Sequence, residues 1–135
     1  MDSEELSYKG EKFTIRWDPK EEILFEEMWG HHTIKDAEDY LAKFKEFCEK
    51  IPGTDPLKIL VDVSKQEKTD SDARRVYTEA SSHPRSGRSA ICGPNIIIRL
   101  IAGFISTALG RKNIKTFASA KEGLKWLKGI ETEKR

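Results

Sequence analysis

The sequence predicts an α/β fold: a single domain with a mixed sheet of about five strands, the element order ββαβαβαβα, and helices packed over the sheet. Two patterns lead to this prediction. Residues 12–17 alternate apolar and polar, the period of a half-buried strand, whereas Leu57–Val63 is a nearly continuous β-branched run typical of a central strand. Between the later strands, the apolar residues recur with the period of a helix. A parallel crossover needs about a dozen residues, so these strands are expected to be parallel.

The first three elements are a hairpin and a helix. Residues 12–17 and 23–30 flank the turn DPKEE, in which Pro19 fixes one backbone dihedral, so they are expected to pair antiparallel. From Thr33 the apolar residues follow a helical period, with lysines and glutamates on the opposite face, up to the break at PGTDP.

The later elements alternate between strand and helix. After Leu57–Val63 we expect a short helix to about Ala80, a strand at 89–93, an apolar helix at 94–109, a strand at 113–118 and a helix at 119–129. The last helix is expected to turn Ala120, Leu124 and Leu127 inward. The chain is interpreted as one domain over residues 1–135, with a core at about 12–128 and frayed segments at 1–10 and 129–135.

Three helix starts share one pattern, a hydroxyl three residues before a carboxylate. Such a pair forms a capping box, in which the hydroxyl accepts a bond from a free amide and the acid bonds back to the cap. The pattern predicts boxes at Thr33–Asp36, Thr69–Asp72 and Ser119–Glu122.

Composition excludes several classes of protein. A net charge of +1 gives no basic field for nucleic acid, and no apolar run reaches the length of about 18 residues that a membrane span needs. The N-terminal stretch is acidic and has no apolar core, so it is not expected to be a signal peptide. Cys48 and Cys92 are far apart among apolar residues, which indicates reduced core thiols in a cytoplasmic protein.

The sequence offers no pattern of a catalytic or metal site. It has no glycine-rich nucleotide loop, no GxSxG and no HExxH, so no enzyme activity, cofactor or metal is predicted. His31 and His32 are adjacent, so their side chains are expected to diverge. The pair Glu26–Glu27 lies within a predicted strand, so one of the two faces inward or lies at an edge.

The loop SHPRSGRSA is rich in arginine and has S-x5-R spacing. This spacing is that of the phosphate loop of cysteine phosphatases, but serine replaces the nucleophile, and the loop runs from helix to strand rather than from strand to helix. A solvated loop is the simplest interpretation. The alternative is a surface anion contact through His83, Arg85 and Arg88.

Several residues together resemble the STAS domain, the fold of bacterial anti-sigma-factor antagonists, and in particular its SpoIIAA-like stand-alone group. The C-terminal stretch FASAKEGLKWL is similar to the closing pattern of that group, with matches at Phe117, Ser119, Glu122, Trp126 and Leu127. Gly123 stands where alanine is usual. The stretches LVDVS and RSAICG also fit. The resemblance implies a non-enzymatic domain that regulates a partner by docking.

The stretch KTDSDARR contains a candidate phosphorylation site, Ser71. In phosphorylatable STAS domains a serine follows an aspartate at the start of the helix after the third strand, in an Asp-Ser-x-Gly context. Asp70 and Ser71 lie at about that place, although Asp72 and Ala73 follow here. The alternative is that this stretch only caps a helix and carries solvated charge.

The helix predicted at 94–109 is apolar around most of its circumference, whereas a surface helix needs only one apolar stripe. It is therefore buried, or its outer side meets a protein partner, a second copy, or an apolar ligand or lipid. The candidate residues for this contact are Ile97, Ile98, Ile101, Phe104 and Ile105.

The sequence thus predicts a regulatory cytoplasmic domain that acts through protein–protein contacts. A homodimer is expected, the protein partner is unknown, and nucleic acid is not expected to be one. The alternative function is a binding module for an apolar small molecule or lipid.

Overall fold

A computed structural model describes residues 6–94 and 113–129. In this part of the chain six strands form one sheet, in the order β1-β2-β3-β4-β5-β6. The strands are β1 Ser7–Lys9, β2 Phe13–Asp18, β3 Ile23–His32, β4 Leu57–Thr69, β5 Ser86–Cys92 and β6 Ile114–Phe117. The helices are α1 Ile34–Lys50, α2 Ser71–Ser81 and α3 Ala120–Leu127.

The sheet is mixed, as the sequence predicts. β1, β2 and β3 pair antiparallel, and β3, β4, β5 and β6 pair parallel. The sequence did not predict β1. Because Ser7–Lys9 pairs with β2, the expectation of a frayed segment over 1–10 is wrong there. All three residues of β1 are exposed, so this strand has no apolar period from which it could be predicted.

Helices pack on both faces of the sheet. On the α1–α2 face, aromatic residues of α1 such as Phe44 pack on alternate apolar residues of β2, β3 and β4. These strand residues include Phe13, Ile15, Leu24 and Ile59. On the α3 face, a smaller core joins α3 to β3, β4 and β5 through Ile23, Leu60, Ala90, Cys92 and Leu127. The predicted helix at 94–109 lies outside the described residues.

Of the three predicted capping boxes, the one at α1 is complete and the one at α3 shows the first of its two bonds. At α1 both bonds of the box between Thr33 and Asp36 are present, and at α3 the Ser119 hydroxyl accepts from the Glu122 amide. The box at Thr69–Asp72 is wrong, because Thr69 is the last residue of β4 and α2 begins at Ser71.

The inner face of α3 also differs from the prediction. Leu127 is fully buried, but Ala120 is exposed, and Gly123 occupies the buried position instead. A Cβ at Gly123 would lie 2.4 Å from Cys92 Sγ, so only glycine lets α3 approach the sheet this closely. Among the described helices none has the length and hydropathy to cross a bilayer.

Candidate functional site

The carboxyl ends of β3 and β4 meet the start of α2 at one edge of the sheet. The two strands are parallel here, with His31 beside Lys68 and His32 beside Thr69. The Asp70 amide donates to the His32 carbonyl at 3.0 Å, so the chain leaves β4 and enters α2 within one residue. We call His31, Asp70 and Ser71 the helix-start edge.

The Asp70 side chain does not cap α2. Its Oδ1 lies 2.6 Å from His31 Nε2, and this hydrogen bond from His31 lowers the Asp70 pKa. Asp70 occupies the N-cap position but makes no side-chain bond to the helix amides. Ser71, the candidate phosphorylation site, is exposed as the first residue of α2. The first amides of α2 are therefore left without a side-chain cap.

His32 diverges from His31, as expected, and is fully buried. Its Nε2 lies 3.2 Å from the Lys12 carbonyl and 3.1 Å from the Trp29 carbonyl, so Nε2 carries the ring hydrogen. The other nitrogen, Nδ1, accepts a hydrogen bond from the Tyr77 hydroxyl. Burial lowers the His32 pKa, which keeps the ring neutral. Both ring nitrogens are thus occupied. Among the described residues no group of three His, Cys, Asp or Glu side chains is placed to hold a metal ion.

Glu26 is a carboxyl group inside the core. It follows the inward alternation of Leu24 and Met28 and is 3% exposed. The Tyr40 hydroxyl lies 2.8 Å from both Glu26 oxygens. Burial raises the Glu26 pKa from 4.5 to about 8, and the bond to Tyr40 offsets only part of that effect. Glu26 is therefore largely protonated at neutral pH.

A cavity of about 120 Å³ lies beside Glu26, between the sheet and helices α1 and α2. Most of its wall is apolar: the larger apolar side chains include Met28, Phe44, Ile59, Val61, Val63 and Ile91. Its polar wall includes Glu26, Tyr40, Tyr77, Gln66, Thr69 and Arg74. The cavity thus combines an apolar body with a few polar groups, as small-molecule sites in proteins do.

The arginine-rich loop does not bring its three candidate residues together. Arg85 is 8% exposed, and its guanidinium donates to the carbonyls of Cys48, Ile51, Pro52 and Asp55 at 2.7–3.2 Å. The interpretation of a solvated loop is therefore wrong at Arg85, which fastens the carboxyl end of α1 to β5.

The other two candidates of this loop face different neighbours. His83 Nδ1 accepts the Arg85 amide at 3.0 Å, and the His83 ring packs edge-on against Phe44. The Arg88 guanidinium lies 4.2 Å from the centre of the Trp126 ring. The three basic side chains do not converge on one point where an anion would bind.

The candidate contact residues Ile97, Ile98, Ile101, Phe104 and Ile105 lie outside the described residues, so the contact there stays a prediction. The two cysteines are free and buried. Burial raises the pKa of Cys48 to about 11 and that of Cys92 to about 12, so neither is a thiolate at neutral pH.

These elements form a SpoIIAA-like fold, as the resemblance predicts. A crystal structure of an uncharacterized protein of the DUF3478 family from Shewanella loihica PV-4, with a SpoIIAA-like fold, is similar at a TM-score of 0.68 and 16% identity over 89% of this chain and 97% of that one. The anti-sigma factor antagonist SpoIIAA in its unphosphorylated form is similar at a TM-score of 0.61 and 16% identity, over 87% of this chain and 99% of that one. No family model and no curated protein matches the sequence.

The sequence predicts Ser71 as a candidate site but does not predict the cavity. One signal was present, because strict alternation from Leu24 through Met28 places Glu26, and not Glu27, on the inward face. Its partner Tyr40 lies on the apolar stripe of α1. The polar wall residues Gln66 and Arg74 gave no such signal, since both lie in stretches that read as charged surface.

Proposed function

We propose that this protein is a non-enzymatic regulatory domain of the cytoplasm that acts by docking to a protein partner, with the helix-start edge as the regulated part of the contact. The observation that carries the proposal is the position of Ser71, exposed at the first residue of α2, in a domain whose fold is that of an anti-sigma factor antagonist.

The chemistry of the edge supports Ser71 as a modifiable residue. A phosphate at a helix N-terminus is stabilised by free amides and by the helix dipole, and Asp70 leaves those amides uncapped. Asp70 and Asp72 flank Ser71 and would repel a group of about −1.5 to −2 charges, whereas His31 and Arg74 lie close enough to offset part of the repulsion. Phosphorylation would therefore rearrange the pair between His31 and Asp70 and change the charge of the docking edge.

The test is affinity capture from the native host with the wild-type chain, Ser71→Ala and Ser71→Glu. We expect a partner that binds wild type and Ser71→Ala to bind Ser71→Glu at least about tenfold more weakly. Mass spectrometry of the protein from the same cells should find phosphate on Ser71.

The matched control is Ser82→Glu, which adds the same charge at the exposed residue that ends α2. It should retain the partner. Equal binding of wild type and Ser71→Glu, with Ser71 unmodified under all growth conditions, would contradict the proposal.

A further inference from the structure

Two buried polar side chains lie at one end of the cavity, where β4 meets α2. Gln66 is 6% exposed and Thr69 is 8% exposed, and Gln66 Nε2 donates to Thr69 Oγ1 at 2.7 Å. Since Thr69 Oγ1 accepts this bond, its own hydrogen points elsewhere. Within residues 6–94 and 113–129 we find no acceptor for that hydrogen. A buried donor without a partner is costly, so a bound group that accepts it would stabilise the site.

Arg74 supplies a positive charge at the same cavity. It lies on the first turns of α2, one turn before Tyr77, and is partly buried. No carboxylate or carbonyl in the described part of the chain is bonded to its guanidinium, although Asp70 and Asp72 lie within four residues of it. Arg74 interacts with Asp70 only at a distance, and a guanidinium that no hydrogen bond holds within the described residues suits a planar anion, because its N–H groups match two carboxylate oxygens at once.

The remaining wall suits a hydrocarbon. Val61 and Val63 from β4 and Ile91 from β5 face the cavity, with Phe44 of α1 across from them. A volume of about 120 Å³ is slightly below that of a cavity that holds benzene, so the hydrocarbon part of a guest that fits has about five or six carbon atoms. A long acyl chain does not fit.

Glu26 does not oppose an anionic guest, since its carboxyl is buried against Tyr40 and stays protonated at neutral pH. The Tyr40 hydroxyl lies 2.8 Å from each of the two Glu26 oxygens, so the neutral carboxyl is held by hydrogen bonds to Tyr40. The wall thus offers donors and no fixed negative charge.

We propose that this cavity binds a small monocarboxylate with an apolar body, its carboxylate held by Arg74 and Thr69 and its hydrocarbon lying against Val61, Val63 and Ile91. Arg74 also lies near the helix-start edge, but binding in the cavity does not depend on the docking contact proposed above. It also narrows the apolar-ligand alternative to one class of molecule and places it on the α1–α2 face.

The experiment is a titration of the 135-residue chain with hexanoate, in which nuclear magnetic resonance spectra report the amide chemical shifts. Hexan-1-ol is the neutral probe of equal length. We expect hexanoate to bind with a Kd of about one millimolar and to shift the amides of Gln66, Thr69 and Arg74. Hexan-1-ol should bind at least about tenfold more weakly.

Substitutions of Arg74 test whether its charge holds the carboxylate. Arg74→Gln should weaken hexanoate at least about tenfold and leave hexan-1-ol unchanged, while Arg74→Lys should give an intermediate Kd. Arg75→Gln removes the neighbouring exposed charge, which does not line the cavity, and should bind as wild type does. The dispersion of each amide spectrum reports whether the variant is folded.

Three results would overturn the proposal. They are the absence of shifts at the cavity with hexanoate, equal binding of the acid and the alcohol, and wild-type binding by folded Arg74→Gln. Because none of these readouts involves a protein partner, failure here is distinct from failure of the docking proposal.

Discussion

The two faces of the sheet are packed in different ways. On the α3 face the core is small, apolar and so tight that a methyl group at Gly123 would lie 3.0 Å from Ala90 Cβ. On the α1–α2 face the core is larger and contains a carboxyl group and a cavity of about 120 Å³. Close packing is the rule in protein interiors, so the α3 face is what stability alone would select.

The α1–α2 face departs from that rule at a measurable cost. Burying a carboxyl disfavours its charged form, and the Tyr40 hydroxyl compensates for only part of the lost hydration. The side chains that line a cavity also make fewer dispersion contacts with one another than those of a close-packed core. The α1–α2 face keeps polar groups at such a cost, whereas the other half of the molecule has an ordinary core, and for this reason we place the proposed ligand site on the α1–α2 face.

Of the changes that would test the difference between the two faces, we expect a substitution of Glu26 to have the largest effect on the free energy of unfolding. The Glu26 pKa is about 8 in the folded chain and near 4.5 in the unfolded chain, so the unfolded chain loses its proton first as the pH rises. Stability from this group therefore falls between about pH 4.5 and pH 8, by about 5 kcal/mol, and is level above that range.

Glu26→Gln keeps a neutral side chain of the same shape, so this fall should disappear, and the variant should be more stable than wild type at pH 9. Urea unfolding at pH 5, 7 and 9 measures it. Glu27→Gln is the matched control, because Glu27 is the next residue, with a side chain 39% exposed, and should keep the wild-type slope. If Glu26→Gln retains that slope too, Glu26 is not buried as a neutral acid.

On the α3 face the expected effect comes from packing. Gly123→Ala places a methyl group against Cys92 Sγ, and overpacking of this kind costs about 1–3 kcal/mol, from which the better helix propensity of alanine subtracts up to about 1 kcal/mol. The double-mutant cycle with Cys92→Ala tests the contact, since the cost should shrink when the sulfur is gone.

Lys121→Ala, at an exposed position of the same helix, is the control for Gly123→Ala and should leave the free energy of unfolding within about 0.5 kcal/mol of wild type. A cost for Gly123→Ala that persists unchanged without the sulfur would show that α3 is held away from β5 for another reason.

Most of the fold could be predicted because apolar periodicity is a local property. The alternation of β2 and β3 and the helical stripe of α1 each lie within one stretch of sequence. The same local property fails where backbone pairing alone makes the element. β4 runs to Thr69 rather than Val63 because polar residues after Val63 pair with the end of β3.

The candidate site was less predictable, because its parts come from distant elements. Arg85 looks like part of a solvated loop, yet its bonds reach carbonyls 30 to 37 residues earlier in the chain. Arg74 looks like a surface charge, and only the placement of α2 over β4 makes it a wall of the cavity. The sequence predicts that Glu26 lies on the inward face of β3, but it does not predict the cavity beside Glu26.

The smallest expected effect compares the two helices of the α1–α2 face at their starts. Thr33→Ala removes the hydroxyl of a complete capping box and should cost about 1 kcal/mol of unfolding free energy. Asp70→Ala removes no cap bond, only a partly exposed pair with His31, and should cost less than about 0.5 kcal/mol.

Urea unfolding of the two variants side by side measures the difference between these costs. Side chains cap the first amides of α1 but not those of α2. The first amides of α2 are therefore available to a phosphate on Ser71. If Asp70→Ala costs as much as Thr33→Ala, Asp70 caps α2 in solution, and a phosphate on Ser71 would have to displace it before it could act.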